Sequence, residues 1–244
     1  MSKIDVKHPN LVLAFLILVS IFGLVLSTFF VFHTYTLEDD FEYRNLTIGS
    51  AFGAVCLLGI FAALFPSSCL AIPQFWKSDR NDRRTLNIHE TALQAHHPSC
   101  ENYSTHILSI GNMKFCATCS GLLAGATIAL LGTGLYFFVS LSTGDPAMLI
   151  LTGEIGVSLG LLQSALPKFS GGLTRFFASI LFVVGTFLIL VSIDVAVKNT
   201  SIDLFFVALS VLWILTKITL SQRDHKRTCT NCSVKSCRYK KRIR

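Results

Sequence analysis

Charged residues are scarce in this sequence. Asp, Glu, Lys and Arg together make up 14% of the 244 residues, whereas hydrophobic residues make up 52%. A soluble domain of this length rarely combines so few charges with a positive mean hydropathy. The composition therefore excludes an ordinary soluble domain and indicates an integral membrane protein.

The sequence also lacks the short motifs of several enzyme classes. It has no G-x-G-x-x-G turn before a helix, no Walker loop, no C-x-x-C-H haem site and no H-E-x-x-H metalloprotease helix. A small-x-small cleavage site is missing after the first apolar run, which we therefore predict to be an uncleaved anchor. These absences leave the membrane segments and the cysteines as the informative features.

Long apolar runs dominate what is present. A spanning helix needs about 20 mostly apolar residues, and six runs meet this length: 11–32, 47–72, 117–142, 147–166, 173–197 and 202–220. The predicted fold class is all-α, a polytopic membrane bundle of about six transmembrane helices. We divide the chain into a bundle over 1–220, with a metal-binding loop at about 76–119, and a basic Cys-rich tail over 221–244.

The distribution of Lys and Arg predicts the orientation, because cytoplasmic loops retain positive charge. With the N-terminus inside, all but two of the 21 basic residues fall on the cytoplasmic side, the exceptions being Arg44 and Lys198. We therefore expect a multi-pass protein of the cell membrane with both termini in the cytoplasm.

This orientation places six of the eight cysteines in the cytoplasm, where thiols stay reduced and clustered ones favour metal or redox chemistry. The other two, Cys56 and Cys69, belong to the second apolar run and are interpreted as packing residues. The six cytoplasmic cysteines are Cys100, Cys116, Cys119, Cys229, Cys232 and Cys237.

The first cluster has the spacing of a tetrahedral metal site. Cys116 and Cys119 form a C-x-x-C knuckle whose two thiolates reach one ion, and Cys100 is a natural third ligand. The fourth ligand is one of His106, His97 and His96; a helix capped by Ser99 and ending near Gly111 would turn His106 away from Cys100. Three thiolates and one imidazole suit zinc, although iron and copper(I) also accept a sulfur-rich set.

The tail repeats this pattern in H-x3-C-x2-C-x4-C order, formed by His225, Cys229, Cys232 and Cys237, which are candidates for a second metal ion. A plain basic tail that binds anionic lipid is the alternative, and the two readings are compatible. Nucleic-acid binding is disfavoured, because Tyr239 is the only aromatic residue in the tail that would stack on a base.

The segment Cys116-Ala117-Thr118-Cys119-Ser120-Gly121 resembles the C-A-R-C-T-G hallmark of an uncharacterised family of small prokaryotic integral membrane proteins, a domain of unknown function. Thr118 stands in place of the family's Arg, and Ser120 in place of its Thr. Upstream, the family's motif begins Cys-His, whereas this chain has His96-His97 before Cys100. The resemblance covers about residues 95–125 and implies a metal-binding membrane protein, with no activity to carry over.

Within the apolar runs two acidic residues are prominent, Glu154 in the fourth and Asp194 in the fifth. Because ionisable residues are costly in a bilayer, they are candidates for an intramembrane polar site. One interpretation is a proton or cation pathway. The other is that polar groups of neighbouring helices bind the carboxylate, or, for Asp194, that the residue lies at the membrane interface near Lys198.

Small residues four apart predict close helix packing in lipid. Such pairs are Gly121 with Gly125 and Gly156 with Gly160, and the first begins directly after Cys119.

Two classes of function follow from the sequence. One is a zinc-stabilised accessory module that docks partners, including other membrane subunits, at the cytoplasmic face. The other is an enzyme, metal-dependent or using Cys116 and Cys119 for thiol redox, or a transporter of ions or small solutes using Glu154. A closed four-ligand site favours the module, and three protein ligands plus water favour chemistry.

Overall fold

The computed structural model describes residues 9–33, 42–64, 106–110, 113–139, 144–166 and 171–230. Within these residues, six helices are long and apolar enough to cross a membrane. The prediction of a helical bundle with about six long apolar helices is therefore confirmed.

The elements follow the chain in the order α1 (Pro9–His33), α2 (Arg44–Leu64), β1 (Ile107–Ile110), β2 (Met113–Cys116), α3 (Ala117–Thr133), α4 (Pro146–Ala165), α5 (Gly172–Val197) and α6 (Thr200–Thr230). A π-helical turn, Gly134–Phe138, continues α3. Helix α6 runs past the predicted boundary at residue 220 without a break, so the first part of the predicted tail is helical.

The segment before α3 differs from the sequence expectation. Ile107–Ile110 is not the end of a helix but a strand, paired antiparallel with Met113–Cys116. A short apolar run does not by itself distinguish helix from strand, and here cross-strand pairing with a segment beyond Gly111 decides the outcome. The two-stranded hairpin leads directly into α3.

Helix α5 is the centre of the bundle and makes its most extensive contacts with α4 and α3. Glycines allow this approach: a side chain at Gly121 would collide with the carbonyl oxygen of Phe176, and one at Gly156 with that of Leu181. The predicted glycine seams on α3 and α4 are therefore confirmed, and both face α5.

Helix α1 lies at the edge of the bundle and joins it through polar groups. Ser20 Oγ lies 3.0 Å from Thr216 Oγ1 on α6, and Trp213 Nε1 donates to the carbonyl oxygen of Ser20 at 3.2 Å. Such interhelical bonds suit lipid, where apolar side chains gain little by leaving one apolar medium for another.

Sharp helix boundaries set the two ends of the bundle. Asp145 accepts a hydrogen bond from the N–H of Ala147 and precedes Pro146, so α4 begins with a capping residue and a proline. Lys198 ends α5 in the left-handed conformation, with φ of 52°, and Asn199 caps α6. We call this end, where α2, α4 and α6 begin, the Arg44 end, and the opposite one the hairpin end.

Candidate functional site

The hairpin end holds the C-x-x-C knuckle. Cys116 is the last residue of β2 and the N-cap of α3, and Cys119 lies in the first turn of that helix. Neither cysteine is part of a disulfide. Because β2 pairs with β1, the backbone of Cys116 lies beside Ile107, next to His106. The hairpin end therefore brings three of the predicted ligand residues, Cys116, Cys119 and His106, into one small region.

The surroundings of Cys116 favour a thiolate. Interaction with the Cys119 side chain lowers the pKa of the Cys116 thiol to about 7, against the opposing effect of burial. Backbone N–H groups of Cys119 and Thr118 and the positive charge of Arg175 lower the pKa further. A metal-binding cysteine must be deprotonated, so this thiol suits the role.

His106 belongs to a buried polar triad with Arg175 of α5 and Asp224 of α6. Arg175 Nη1 lies 3.0 Å from His106 Nδ1 and 3.1 Å from Asp224 Oδ2. His106 Nε2 lies 3.5 Å from the same carboxylate oxygen. The triad fixes the start of β1 against α5 and α6.

The imidazole of His106 is neutral near pH 7. Burial lowers its pKa to about 4, Arg175 lowers it as well, and Asp224 partly offsets both. Because the guanidinium of Arg175 can only donate, Nδ1 is the acceptor in their contact, and the proton lies on Nε2, facing Asp224. Arg175 thus occupies Nδ1 of His106, while Nε2 lies 3.5 Å from the carboxylate of Asp224.

The other predicted ligands divide into two groups. His96, His97 and Cys100 of the loop and Cys232 and Cys237 of the tail lie outside the described residues. His225 and Cys229 belong to the last turns of α6. Within the described part of the chain, no three His, Cys, Asp or Glu side chains form a group able to hold a metal ion. A metal at Cys116 and Cys119 therefore needs ligands beyond that set.

Glu154 on α4 contacts α1. Its Oε1 lies 2.9 Å from Ser27 Oγ and also accepts a hydrogen bond from Thr28 Oγ1. Both hydroxyls lie within hydrogen-bond distance of the carbonyl oxygen of Leu24 as well. The carboxylate thus has partners on a neighbouring helix, which agrees with the interpretation that neighbouring helices satisfy it.

Asp194 belongs to a buried cluster at the Arg44 end. Arg44 Nη2 contacts Asp194 Oδ1 and lies 2.8 Å from Asp203 Oδ2. The hydroxyl of Tyr136 donates to Asp194 Oδ2 at 2.6 Å. The cluster therefore joins α2, the π-helical turn, α5 and α6, and Asp194 is bound by Arg44 and Tyr136.

Lys217 was counted from the sequence among the cytoplasmic bases, but its side chain is buried inside the bundle, with an exposed fraction of 2% for the residue. Its Nζ donates to the carbonyl oxygen of Gly160 at 2.9 Å and lies 4.9 Å from the centre of the Phe182 ring. The seven-residue spacing of Asp203, Ser210, Lys217 and Asp224 would have suggested a shared inward face of α6.

Comparison with protein-family models finds no match to this chain. Searches of curated proteins and of solved structures give no significant match either. The resemblance of Cys116–Gly121 to the uncharacterised membrane family stays a prediction.

Proposed function

We propose that this chain is an integral membrane protein that binds a metal ion, zinc in the first place, through Cys116 and Cys119. The knuckle carries the proposal: a hairpin fixes one thiol at the start of α3 and the other in its first turn. The low pKa of the Cys116 thiol supports thiolate ligation near neutral pH.

The remaining ligands come from the cysteines and histidines of the loop and the tail. His106 is the weakest of these candidates, because its Nδ1 is hydrogen-bonded to Arg175 and its Nε2 faces the carboxylate of Asp224. Cys100 and His97 in the loop, and His225 and Cys229 on α6, remain as the stronger ones.

We infer a structural role for the metal, in an accessory module that docks partners at the cytoplasmic face. Gly121 lies two residues after Cys119 and packs against the backbone of α5 at Phe176. An ion held at the knuckle would therefore fasten the connecting segments to the most buried helix of the bundle. The basic tail supplies the same face with positive charge for anionic lipid.

Metal analysis of the full chain tests the proposal. Wild-type protein purified in detergent without chelators is expected to hold about one or two zinc ions per chain by mass spectrometry of the metal. Cys116→Ser and Cys119→Ser should each lower that content, whereas Cys56→Ser, which removes a buried thiol from α2, should not. Wild-type protein without stoichiometric metal would end the proposal.

A second measurement distinguishes a structural metal site from a catalytic one. Cobalt(II) substituted for zinc reports its ligands by absorption, and an open coordination position binds added azide or cyanide. We expect no change in the cobalt spectrum on adding either anion. A clear spectral change would assign the site to catalysis instead.

The orientation is testable with a reagent that does not cross the membrane. A single-cysteine variant that retains Cys119 should react with a charged maleimide only after the cells are opened. Reaction in intact cells would place the hairpin end outside and contradict the cytoplasmic assignment.

A further inference from the structure

The Arg44 cluster, by which we mean Arg44, Tyr136, Asp194 and Asp203, contains two carboxyl groups and one guanidinium. Asp194 and Asp203 contact the same nitrogen, Nη2 of Arg44, so the two carboxyl groups lie close together. If both were ionised, the cluster would carry one net negative charge. The Asp203 side chain is fully buried and the Asp194 side chain is 9% exposed. A buried charge without a counter-charge is strongly destabilising.

The oxygens of the two carboxyl groups differ in their hydrogen-bond donors. Asp194 Oδ1 contacts Arg44, and Asp194 Oδ2 accepts from the Tyr136 hydroxyl at 2.6 Å. Asp203 Oδ2 accepts from Arg44 Nη2 at 2.8 Å and from Nε at 3.2 Å. Asp203 Oδ1 is buried and accepts no hydrogen bond from the described part of the chain. An ionised Asp203 would therefore leave a charged oxygen both buried and unpaired, which is costly.

A proton on Asp203 removes both costs. Neutral Asp203 leaves one carboxylate for one guanidinium, and its O–H group donates a hydrogen bond where an ionised oxygen would need to receive one. An acceptor is close, because the side chains of Asp194 and Asp203 make a hydrogen-bond contact with each other. Two carboxyl groups form such a bond only when one of them carries a proton.

The helix ends near the cluster do not remove the excess charge. Asp203 lies in the first turn of α6, where a negative charge is favoured, but Asp194 lies in the last turn of α5, where it is disfavoured. A small metal ion is a poor substitute for the proton, since the guanidinium of Arg44 already contacts both carboxyl groups and would repel it.

We propose that the Arg44 cluster is a proton-binding site, in which Asp194 and Asp203 hold one proton between them, carried by Oδ1 of Asp203. An O–H bond forms there when hydronium gives up its proton, and it breaks when the proton returns to water. Arg44, whose side chain is 15% exposed, connects the cluster with water at the Arg44 end. The site is independent of the proposed metal centre, which lies at the opposite end of the bundle.

Infrared spectroscopy of the full chain in lipid vesicles tests the proposal, because a protonated carboxyl group has a C=O stretching band separate from those of carboxylates and amides. At about pH 6, where a free aspartate is ionised, wild type should show such a band. Asp203→Asn and Asp194→Asn should each remove it, since either variant leaves one carboxylate for the guanidinium. The matched control Asp145→Asn, which replaces an exposed aspartate before α4, should retain it.

A second measurement counts protons with a pH-indicator dye. Unfolding in SDS at about pH 6 should release about one proton more from wild type than from Asp203→Asn, because the aspartate ionises in the unfolded chain. The folded state binds the extra proton, so the folding constant of wild type relative to Asp203→Asn should fall as the pH rises, by up to about tenfold per pH unit. Equal proton release by the two proteins would overturn the proposal.

Four infrared results would also overturn it. Wild type without the band at about pH 6 would have both carboxyl groups ionised. A band that persists in Asp203→Asn would belong to another group, and one that persists in Asp194→Asn would show that the shared guanidinium is not the reason for the proton. Loss of the wild-type band when sodium chloride replaces choline chloride would assign the site to a metal cation.

Wild type alone gives an answer if the variants do not fold. Protein made by cell-free synthesis with aspartate labelled by ¹³C at the side-chain carboxyl group should show the band at a lower frequency, because a heavier carbon slows the C=O stretch. An unshifted band would assign the proton to a glutamate and overturn the site at Asp203.

Discussion

Arg44 Nη2 lies 2.8 Å from Oδ2 of Asp203, and this contact joins the beginning of α2 to the beginning of α6. The Asp203 side chain is fully buried, and the Arg44 side chain is 15% exposed. The same guanidinium contacts Asp194, so one cation serves two carboxylates from two other helices.

Arg44→Met should therefore lower the free energy of unfolding by about 3–5 kcal/mol, because it leaves buried carboxylates without their cation. Unfolding by SDS in mixed micelles, followed by circular dichroism, measures the change. Arg223→Met, which removes an exposed base from α6, is the control and should shift stability by less than about 0.5 kcal/mol. Equal stability of the two variants would show that the Arg44 cluster contributes little.

Gly121→Ala tests the contact between α3 and α5. The added methyl group would meet the carbonyl oxygen of Phe176 and the Cβ of Ser179, so the helices must separate. We expect a loss of about 1–3 kcal/mol, the usual effect of overpacking a close contact. Gly134→Ala is the matched control, since nothing lies within 4 Å of the added carbon there. A similar loss of stability in both variants would point to an effect unrelated to packing.

Glu154→Gln tests whether Glu154 serves mainly to hold α1. The amide oxygen can still accept from Ser27 and Thr28, so stability should change by less than about 1 kcal/mol. Glu154→Leu removes the acceptor and should cost about 0.6 kcal/mol for each lost bond. A large loss in Glu154→Gln, measured by the same SDS unfolding, would show that the negative charge itself matters and would favour the ion-pathway interpretation.

Lys217→Met tests the buried amine. Within the described residues no carboxylate contacts Lys217, whose partners are a carbonyl oxygen, the hydroxyl of Ser164 and an aromatic ring. Replacing a buried charged group by an apolar one of similar volume is often stabilising, and we expect a gain of about 1–2 kcal/mol. Leu215→Met, on the exposed surface of α6, should be neutral. Destabilisation of Lys217→Met would mean that its polar contacts outweigh the desolvation of the amine.

The membrane helices were predictable from the sequence because their signal is local. A run of about 20 apolar residues defines a span wherever the helix later packs, and each of the six predicted runs coincides with a helix. Their boundaries were less accurate: the predicted run to 142 continues from α3 into a π-helical turn, and α6 extends past 220 to Thr230.

The polar clusters were not predictable in the same way, because their partners are distant in the sequence. Arg44 and Asp203 are 159 positions apart, and no periodicity in either segment connects them. Similarly, the triad joins His106, the residue before β1, to Arg175 of α5 and Asp224 of α6. Burial of Lys217 was missed because a count of basic residues gives the side of the membrane and says nothing about the direction of a side chain.

The π-helical turn Gly134–Phe138 bears on how this protein can vary. A π-helical turn accommodates one more residue than an α-helical turn would, and Tyr136 lies within it and bonds Asp194. Deleting one residue there would restore the α-helical pitch and rotate the phenol by roughly a quarter turn or more. Among diverged copies of this chain, the length of that segment and the presence of a tyrosine at its middle should therefore be inherited together.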